Sequence, residues 1–466
     1  MNELIKLLTT SFQNFDFLTF LSDHLTGIGY GLMFLVAAVG IFKRSRKNRK
    51  AIKVLEKNIK ASLNEPVTLH PEIDNALCAG CGSCVKACPE GEILQLIDHK
   101  AVLVSPTKCV GHGACEQSCP FGAIDLVFGT KTRGMEIPRI SSDFETNIPG
   151  LYIAGELGGM GLIRNAIKQG KLAAHHAASK AKKLNIKTDY DLFIIGAGPA
   201  GFSAGLTAVE LKSRYKLIEQ NSFGGTIFNF PRQKIVTSHP LEMPIVGSKK
   251  FKRNTVSKEE LLTLFSKIKK ENNLIVSERE NFTNLEQLPG GGFQIETSKG
   301  KYTSKMVILG MGVRGTPRRL GLPNEDSAKV AYNLIDPDEY KFSSIAIVGG
   351  GNAGLEAAQY LSKTKLKNKI HLIVRGNPDD AFSKANEQNQ NLVLELINQK
   401  KVEVHYKSAI KVIDKETITI SKGDGEVILE NDYIFVFAGA EVPFKFLMSL
   451  GIEIDKAHGE KRKKGA

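Results

Sequence analysis

Hydrophobic and polar positions divide the chain into regimes. Residues 1–21 are rich in Leu and Phe with Glu3, Lys6 and Asp16 interspersed, the pattern of an amphipathic interfacial helix. Residues 25–42 (LTGIGYGLMFLVAAVGIF) carry no charge and are just long enough to span a bilayer, whose core needs roughly 17–25 apolar residues. Residues 50–64 return to a helical period, with Ile52, Leu55, Ile59 and Leu63 on one face. Further on, apolar strands feed glycine turns and then helices, twice over. The first such strand is residues 191–195, and the second begins at Ile345. A helix is predicted over residues 162–183, and strands end at Glu219 (YKLIE) and just before Arg375 (IHLIV). The pattern is that of an α/β protein with two nucleotide-type folds.

Charge changes the picture only at two places. The formal net charge is +14, but residues 43–60 hold nine Lys or Arg against Glu56, and residues 456–464 hold five against Glu460. With the body nearly balanced, a nucleic-acid partner is not expected. The basic residues Lys43, Arg44, Arg46, Lys47, Arg49 and Lys50 follow the apolar run, whereas a signal peptide carries its charge before it. The positive-inside rule then makes this a single-pass protein of the cell inner membrane, with everything after Lys43 cytoplasmic; the competing reading of residues 25–42 is a buried core helix. Residues 50–64 suit anionic headgroups, at about 1 kcal/mol per basic residue, or a solvated spacer.

All seven cysteines lie between Cys78 and Cys119. Such clustering in a chain of 466 residues points to metal rather than a disulfide framework, and to a reducing compartment. Cys78, Cys81, Cys84 and Cys88, followed by Pro89, give C-x2-C-x2-C-x3-C-P. Cys109, His112, Cys115 and Cys119, followed by Pro120, repeat the spacing with histidine in second place. These runs resemble the two-cluster bacterial ferredoxins, in which the fourth cysteine ligates the other cluster. The resemblance implies one iron-sulfur cluster on Cys78, Cys81, Cys84 and Cys119. It implies a second on Cys88, Cys109 and Cys115, with Cys88 expected at the start of a helix. His112 either ligates iron or stands aside and leaves a three-iron cluster.

Gly196-Ala-Gly198-Pro199-Ala200-Gly201 follows the first strand and opens a helix, and Glu219 ends the next strand, the spacing of a dinucleotide fingerprint with its ribose-binding acid. The second fingerprint holds Gly349, Gly351, Asn352, Ala353 and Gly354, with Arg375 where an acid would select NAD. An arginine there suits the extra phosphate of NADP, unless it is an ordinary exposed residue.

With Gly224 and Gly225 (FGG) and the stretches 307–312 and 432–439, these motifs resemble thioredoxin reductases and the related cysteine-free bacillithiol-disulfide-reductase-like flavoproteins. The resemblance implies FAD in the first fold and NADP, or NAD, in the second. Residues 146–169 resemble that family's closing segment, with Gly155 and Glu156 in place of the Gly-Asp that holds the flavin ribityl and phosphate groups. That segment comes last in the family and here precedes the first fingerprint, so a circular permutation is implied that brings iron-sulfur centres beside a flavin. The expected units are a membrane anchor (1–45), a basic linker helix (46–70), a ferredoxin domain (71–128), the displaced closing segment (129–187), an FAD domain (188–324), an NAD(P) domain (325–437), and a return with a basic tail (438–466).

The nicotinamide region has no cysteine, so the family's dithiol exchange is excluded. The expectation is a membrane-anchored enzyme exchanging electrons between NADPH and the clusters, with an unidentified donor or acceptor protein and a homodimer left open. Hydride transfer needs no acid or base, and no catalytic side chain is assigned. The rivals are a low-molecular-weight disulfide reductase and a non-enzymatic redox sensor or electron-transfer subunit. Residues 249–258 form a basic stretch that suits a docking patch or a solvated loop.

Overall fold

The computed structural model describes residues 17–60, 65–66, 69–132, 134–159, 161–237, 240–251, 255–313, 316–423, 425–441 and 443–461. The amphipathic stretch expected at residues 1–16, part of the basic stretch 249–258 and the last five residues lie outside them. Helix α1 is Phe17–Lys60, a single helix that carries the apolar run directly into the basic one. Among the described residues no helix is long and apolar enough to cross a membrane, so the spanning helix expected at residues 25–42 is not found there. Some of that run's side chains fall outside the described set. The basic half of α1 is not a solvated spacer either. Ala51 is buried, Asn58 Nδ2 donates to the Val104 carbonyl at 2.7 Å, Asn48 Nδ2 to Asp98 at 3.1 Å, and Lys50 pairs with Glu92 at 3.0 Å.

The module under that helix pairs β1 (His70–Ile73) antiparallel with a later strand of its own, around a hairpin of β2 (Leu94–Ile97) and β3 (Lys100–Leu103). Two short helices, α2 (Ser83–Ala87) and α3 (Ala114–Gln117), hold Cys84 and Cys115, and β4 (Ile124–Phe128) is the partner of β1. Its apolar core is small, built on Leu69, Leu94, Ala101, Ile124 and Leu126 with Cys84 and Cys115 among them. A core this size calls for a covalent or metal staple. Cys88 sits at the end of α2 rather than the start of a helix, in extended conformation (φ −71°, ψ 116°). Pro89 is the cause, because the residue before proline is pushed out of the helical region.

Next come β5 (Met135–Pro138), β6 (Leu151–Ile153) and α4 (Ile163–Lys183), then the first fingerprint on β7 (Tyr190–Ile195), α5 (Pro199–Glu210) and β8 (Tyr215–Glu219). With β9 (Ser277–Glu278), β10 (Phe282–Gln287), β11 (Phe293–Thr297) and β12 (Gly300–Leu309) they make a seven-stranded sheet ordered β9-β8-β7-β12-β11-β10, with β6 also on β12. Strand β12 is long enough to serve both neighbours. Its end is flanked in parallel by β7 and β6, with Leu309 opposite both Ile195 and Ile153.

The second fold is a parallel sheet of β13 (Val330–Ala331), β14 (Ser344–Val348), β15 (Lys369–Ile373) and β16 (Val402–His405), with α6 (Asn352–Leu361) after β14. A meander of β17 (Ser408–Ile413), β18 (Thr417–Lys422) and β19 (Gly425–Glu430) leads to β20 (Tyr433–Val436), which enters that sheet between β13 and β14. The start of the expected basic tail is built into two sheets. Strand β21 (Ile454–Ala457) pairs with β5, and β22 (Glu460–Lys461) pairs with β4 of the cysteine module.

Candidate functional site

The three glycines of each fingerprint do different jobs. Gly196 has φ +95°, and a Cβ there would lie 2.7 Å from the Gly310 carbonyl; Gly349 has φ +123° and would meet the Phe437 carbonyl at 2.4 Å. Both let the strand turn hard against its neighbour. At Gly201 and Gly354 a Cβ would strike the carbonyls of Gly196 and Gly349, at 1.7 and 2.1 Å, so these positions seat helix on strand. Gly198 meets nothing closer than 3.9 Å and Gly351 nothing within 4 Å. The middle position is open at the helix N-terminus in both folds, the cradle a pyrophosphate requires. Pro199 starts α5 and Asn352 starts α6, where the Asn352 carboxamide oxygen accepts from the Asn386 backbone at 2.8 Å.

Glu219 is buried, and its oxygens accept from the Ala197 backbone at 2.8 Å and from Asn221 at 3.1 Å. Each carboxylate oxygen has a second lone pair, so hydroxyl donors can still be accepted at this acid. Gly225 packs on the same loop, its Cβ position 2.9 Å from Gly198 Cα, and the Gly224 N–H donates to the Ala197 carbonyl at 3.2 Å. Arg375 is exposed just past β15, and its loop folds back so that the Ala381 carbonyl would lie 2.2 Å from a Cβ on Gly350.

Segment 155–164 borders this site. A Cβ on Gly155 would lie 3.1 Å from the Ala200 methyl, and the Gly155 N–H donates to buried Gln169 Oε1 at 2.7 Å. Glu156 opens a short 3-10 turn beside them and is half-buried. Helix α4 lays a stripe of small residues (Gly170, Ala173, Ala174, Ala177) against α5, and a Cβ on Gly170 would come 2.0 Å from the Ala200 carbonyl.

The cysteines form two cages. One cavity, of ≈ 310 Å³, is lined by Cys78, Cys81, Cys84 and Cys119; the other, of ≈ 360 Å³, by Cys88, Cys109, His112 and Cys115. The crossed grouping read from the spacing is thus the grouping in space. Among the described residues, the one set of three or more His, Cys, Asp or Glu whose ligand atoms all lie within 4.8 Å of one another is His371, Glu403 and His405. The cysteine sulfurs are therefore spread wider than the roughly 3.8 Å that a tetrahedral zinc bonded at about 2.3 Å imposes. They suit a polynuclear cluster.

Burial pushes the Cys109 thiol up to about 11 and Cys115 up to about 12. These thiols ligate as thiolates only if bound cationic charge offsets their desolvation. Cys81, exposed at the rim, is held below the ordinary thiol value by hydrogen bonding with Ser83. His112 is nearly buried, with Nε2 3.4 Å from Glu90, whose carboxyl is raised by burial.

Two residues that sequence reasoning missed tie the cages to the nucleotide fold. Arg164 in the first turn of α4 donates from Nη2 to the His112 carbonyl at 2.8 Å, and Gly159 sits against Phe128 of β4, 3.1 Å from its Cβ position. A signal for Arg164 existed, because a cation in a helix's first turn opposes the helix dipole and is kept there only by some other partner. For Gln169, which holds the Gly155 N–H within the nucleotide fold, the signal is a lone amide in an otherwise small apolar stripe.

Residues 70–120 match the 4Fe-4S dicluster domain, and residues 193–462 match the family described as pyridine nucleotide-disulphide oxidoreductase. Among curated proteins, the bacilliredoxin reductase Bdr of Bacillus subtilis is 26% identical over 273 residues, covering 57% of this chain and 82% of that protein. A ferredoxin–NADP reductase of Ignicoccus hospitalis is 25% identical over 270 residues, covering 57% and 82%. The bacillithiol disulfide reductase structure from Staphylococcus aureus superposes with a TM-score of 0.52 at 22% identity, covering 59% of this chain and 85% of that one, a likeness of fold. With the second fingerprint inside the matched stretch and the cysteine cages ahead of it, this chain belongs to the pyridine nucleotide-disulphide oxidoreductases and is an oxidoreductase carrying a 4Fe-4S dicluster domain.

Proposed function

We propose that the protein exchanges electrons between NADPH and two iron-sulfur clusters through FAD. The observation that carries this is segment 155–164: Gly155 sits so near the first fingerprint that a Cβ on it would lie 3.1 Å from the Ala200 methyl, and Arg164, nine residues on, holds the His112 loop of the second cage. FAD, when bound, supplies the conversion between hydride and single electrons. The chain's part is to hold the groups close and dry. Glu219 and the open Gly198 position would take the FAD ribose and pyrophosphate; Gly351 and Arg375 would take those of NADPH and its extra phosphate. Cys78, Cys81, Cys84 and Cys119 would ligate one cluster, and Cys88, Cys109 and Cys115 the other, with His112 lining the remaining side.

We read residues 146–169 as the family's closing segment, displaced ahead of the fingerprint by circular permutation. Its place beside Leu309, opposite β7, supports that reading, as does its position outside the matched residues 193–462. Arg164→Ala should leave reduction of the flavin by NADPH unchanged and slow onward transfer to the clusters by about tenfold or more. Stopped-flow spectroscopy separates the two phases, and equal rates in both phases for variant and wild type would remove Arg164 from the route.

A second reading, reduction of a low-molecular-weight disulfide, is favoured by the likeness to Bdr. Membrane attachment rests on a separate observation. Tyr30, Leu32, Met33, Phe34, Leu35, Val36, Ile41 and Phe42 are all more than half exposed on α1, directly ahead of the basic stretch. Flotation with anionic vesicles should carry the full chain upward and leave behind a chain lacking residues 1–42.

A further inference from the structure

The sheet of the second fold holds a side-chain group that neither fingerprint uses. His371 on β15 and His405 on β16 are 1% and 2% exposed, and Glu403 stands directly opposite His371 in the strand register. His371 Nδ1 lies 3.0 Å from His405 Nε2. The Glu403 carboxylate reaches both rings, with Oε2 3.4 Å from His371 Nδ1 and Oε1 3.7 Å from His405 Nε2.

Two imidazoles packed together in a core, tilted 33° to one another, are an expensive choice for stability alone. They share one hydrogen bond, and their outer atoms, His371 Nε2 and His405 Nδ1, are buried without a partner. Each such atom carries a desolvation cost that an apolar pair of similar volume would avoid. Burial holds the His371 ring down to about 4 and lowers His405 as well, with Lys369 and Lys422 acting in the same direction and Glu403 against it. In the tautomer that protonates its outer nitrogen, each ring turns a lone pair toward Glu403, giving up the shared hydrogen bond.

The geometry suits a cation. Edges of 3.0, 3.4 and 3.7 Å bracket the roughly 3.3–3.4 Å between ligand atoms around a tetrahedral zinc bonded at about 2.0–2.1 Å. Two imidazoles with one carboxylate are the donor set of zinc, copper or nickel rather than of magnesium or calcium. Glu403, 57% exposed, leaves a way in from solvent.

We propose that His371, Glu403 and His405 bind one divalent cation of the zinc class, at a site distinct from the cysteine cages and with a coordination position open beside Glu403. The cation would clamp β15 to β16 immediately ahead of Arg375. The next residue, Val374, already donates to the His405 carbonyl and accepts from Ser408, both at 3.0 Å.

The test is equilibrium dialysis of the full-length holoprotein against zinc, followed by elemental analysis of zinc and iron. The expected result is about one zinc per chain with iron unchanged, and a melting temperature that rises with zinc. Glu403→Gln, exposed and so harmless to folding, should weaken zinc binding by more than about tenfold, the scale that loss of even an indirect ligand support reaches. It should also abolish the thermal shift. Equal zinc retention by wild type and Glu403→Gln, zinc gained only as iron is lost, or no zinc retained would each overturn the proposal.

Discussion

Cys119→Ser should lose the cluster of the first cysteine run and keep that of the second, and Cys88→Ser should do the reverse. Proximity in sequence argues the opposite, since Cys119 lies four residues from Cys115 and Cys88 four from Cys84. The folded chain crosses them, because each run's last cysteine lines the cavity of the other run. Iron should fall from about seven or eight to about three or four per chain in either variant. Paramagnetic resonance of the reduced proteins should then show a different remaining signal in each. If Cys119→Ser instead removes the same signal as Cys115→Ser, and Cys88→Ser the same signal as Cys84→Ser, each cavity's assignment is wrong. The same pair separates the two functional readings. Turnover with low-molecular-weight disulfides would survive both lesions only if the clusters stand off the electron path.

Gly170→Ala should empty the flavin site, although the residue touches no cofactor in the assignment above. Its new methyl group would sit 2.0 Å from the Ala200 carbonyl, inside the fingerprint itself, so helix or loop must give way. Overpacking of this kind costs roughly 1–3 kcal/mol. Here the cost falls on the joint between two segments, because the neighbouring Gln169 also holds the Gly155 N–H. We expect FAD affinity to fall by about tenfold or more, at roughly 1.4 kcal/mol per tenfold. Gly290→Ala, with nothing within 4 Å of the new methyl, is the control. Wild-type FAD content in Gly170→Ala would mean that α4 does not support the nucleotide site.

Much of this was legible in the residues because the chemistry demands fixed local spacing. The cysteine runs and both glycine fingerprints are short-range patterns, and the fold sets them where the spacing implies. The strand at 151–153 was legible for a different reason: the apolar run ending in Ala-Gly-Glu resembles the closing segment of the thioredoxin-reductase family. What escaped was long-range. Strands β21 and β22 are four and two residues long, with one acidic and one basic residue each and no alternation to mark them, and their partners lie more than 300 residues upstream. Arg139 helps fix that return, with its guanidinium on Asp455 and Glu453. That the basic half of α1 docks on the cysteine module was not legible, because its docking face is made of Ala51, Asn48 and Asn58, which carry no apolar stripe. Cys88 ends α2 instead of opening a helix, and Cys-Pro alone did not tell the two apart, because an extended residue before proline suits a helix start as well as a helix end.

The central claim is that segment 155–164 places the nucleotide site and the second cysteine cage within one electron path. Anaerobic titration of the purified full chain with NADPH, followed by absorbance and by paramagnetic resonance, tests it most directly. The account predicts that the flavin absorbance bleaches and that a reduced-cluster signal then grows in. A fully bleached flavin with no cluster signal at any NADPH excess, in protein whose clusters dithionite does reduce, would contradict it.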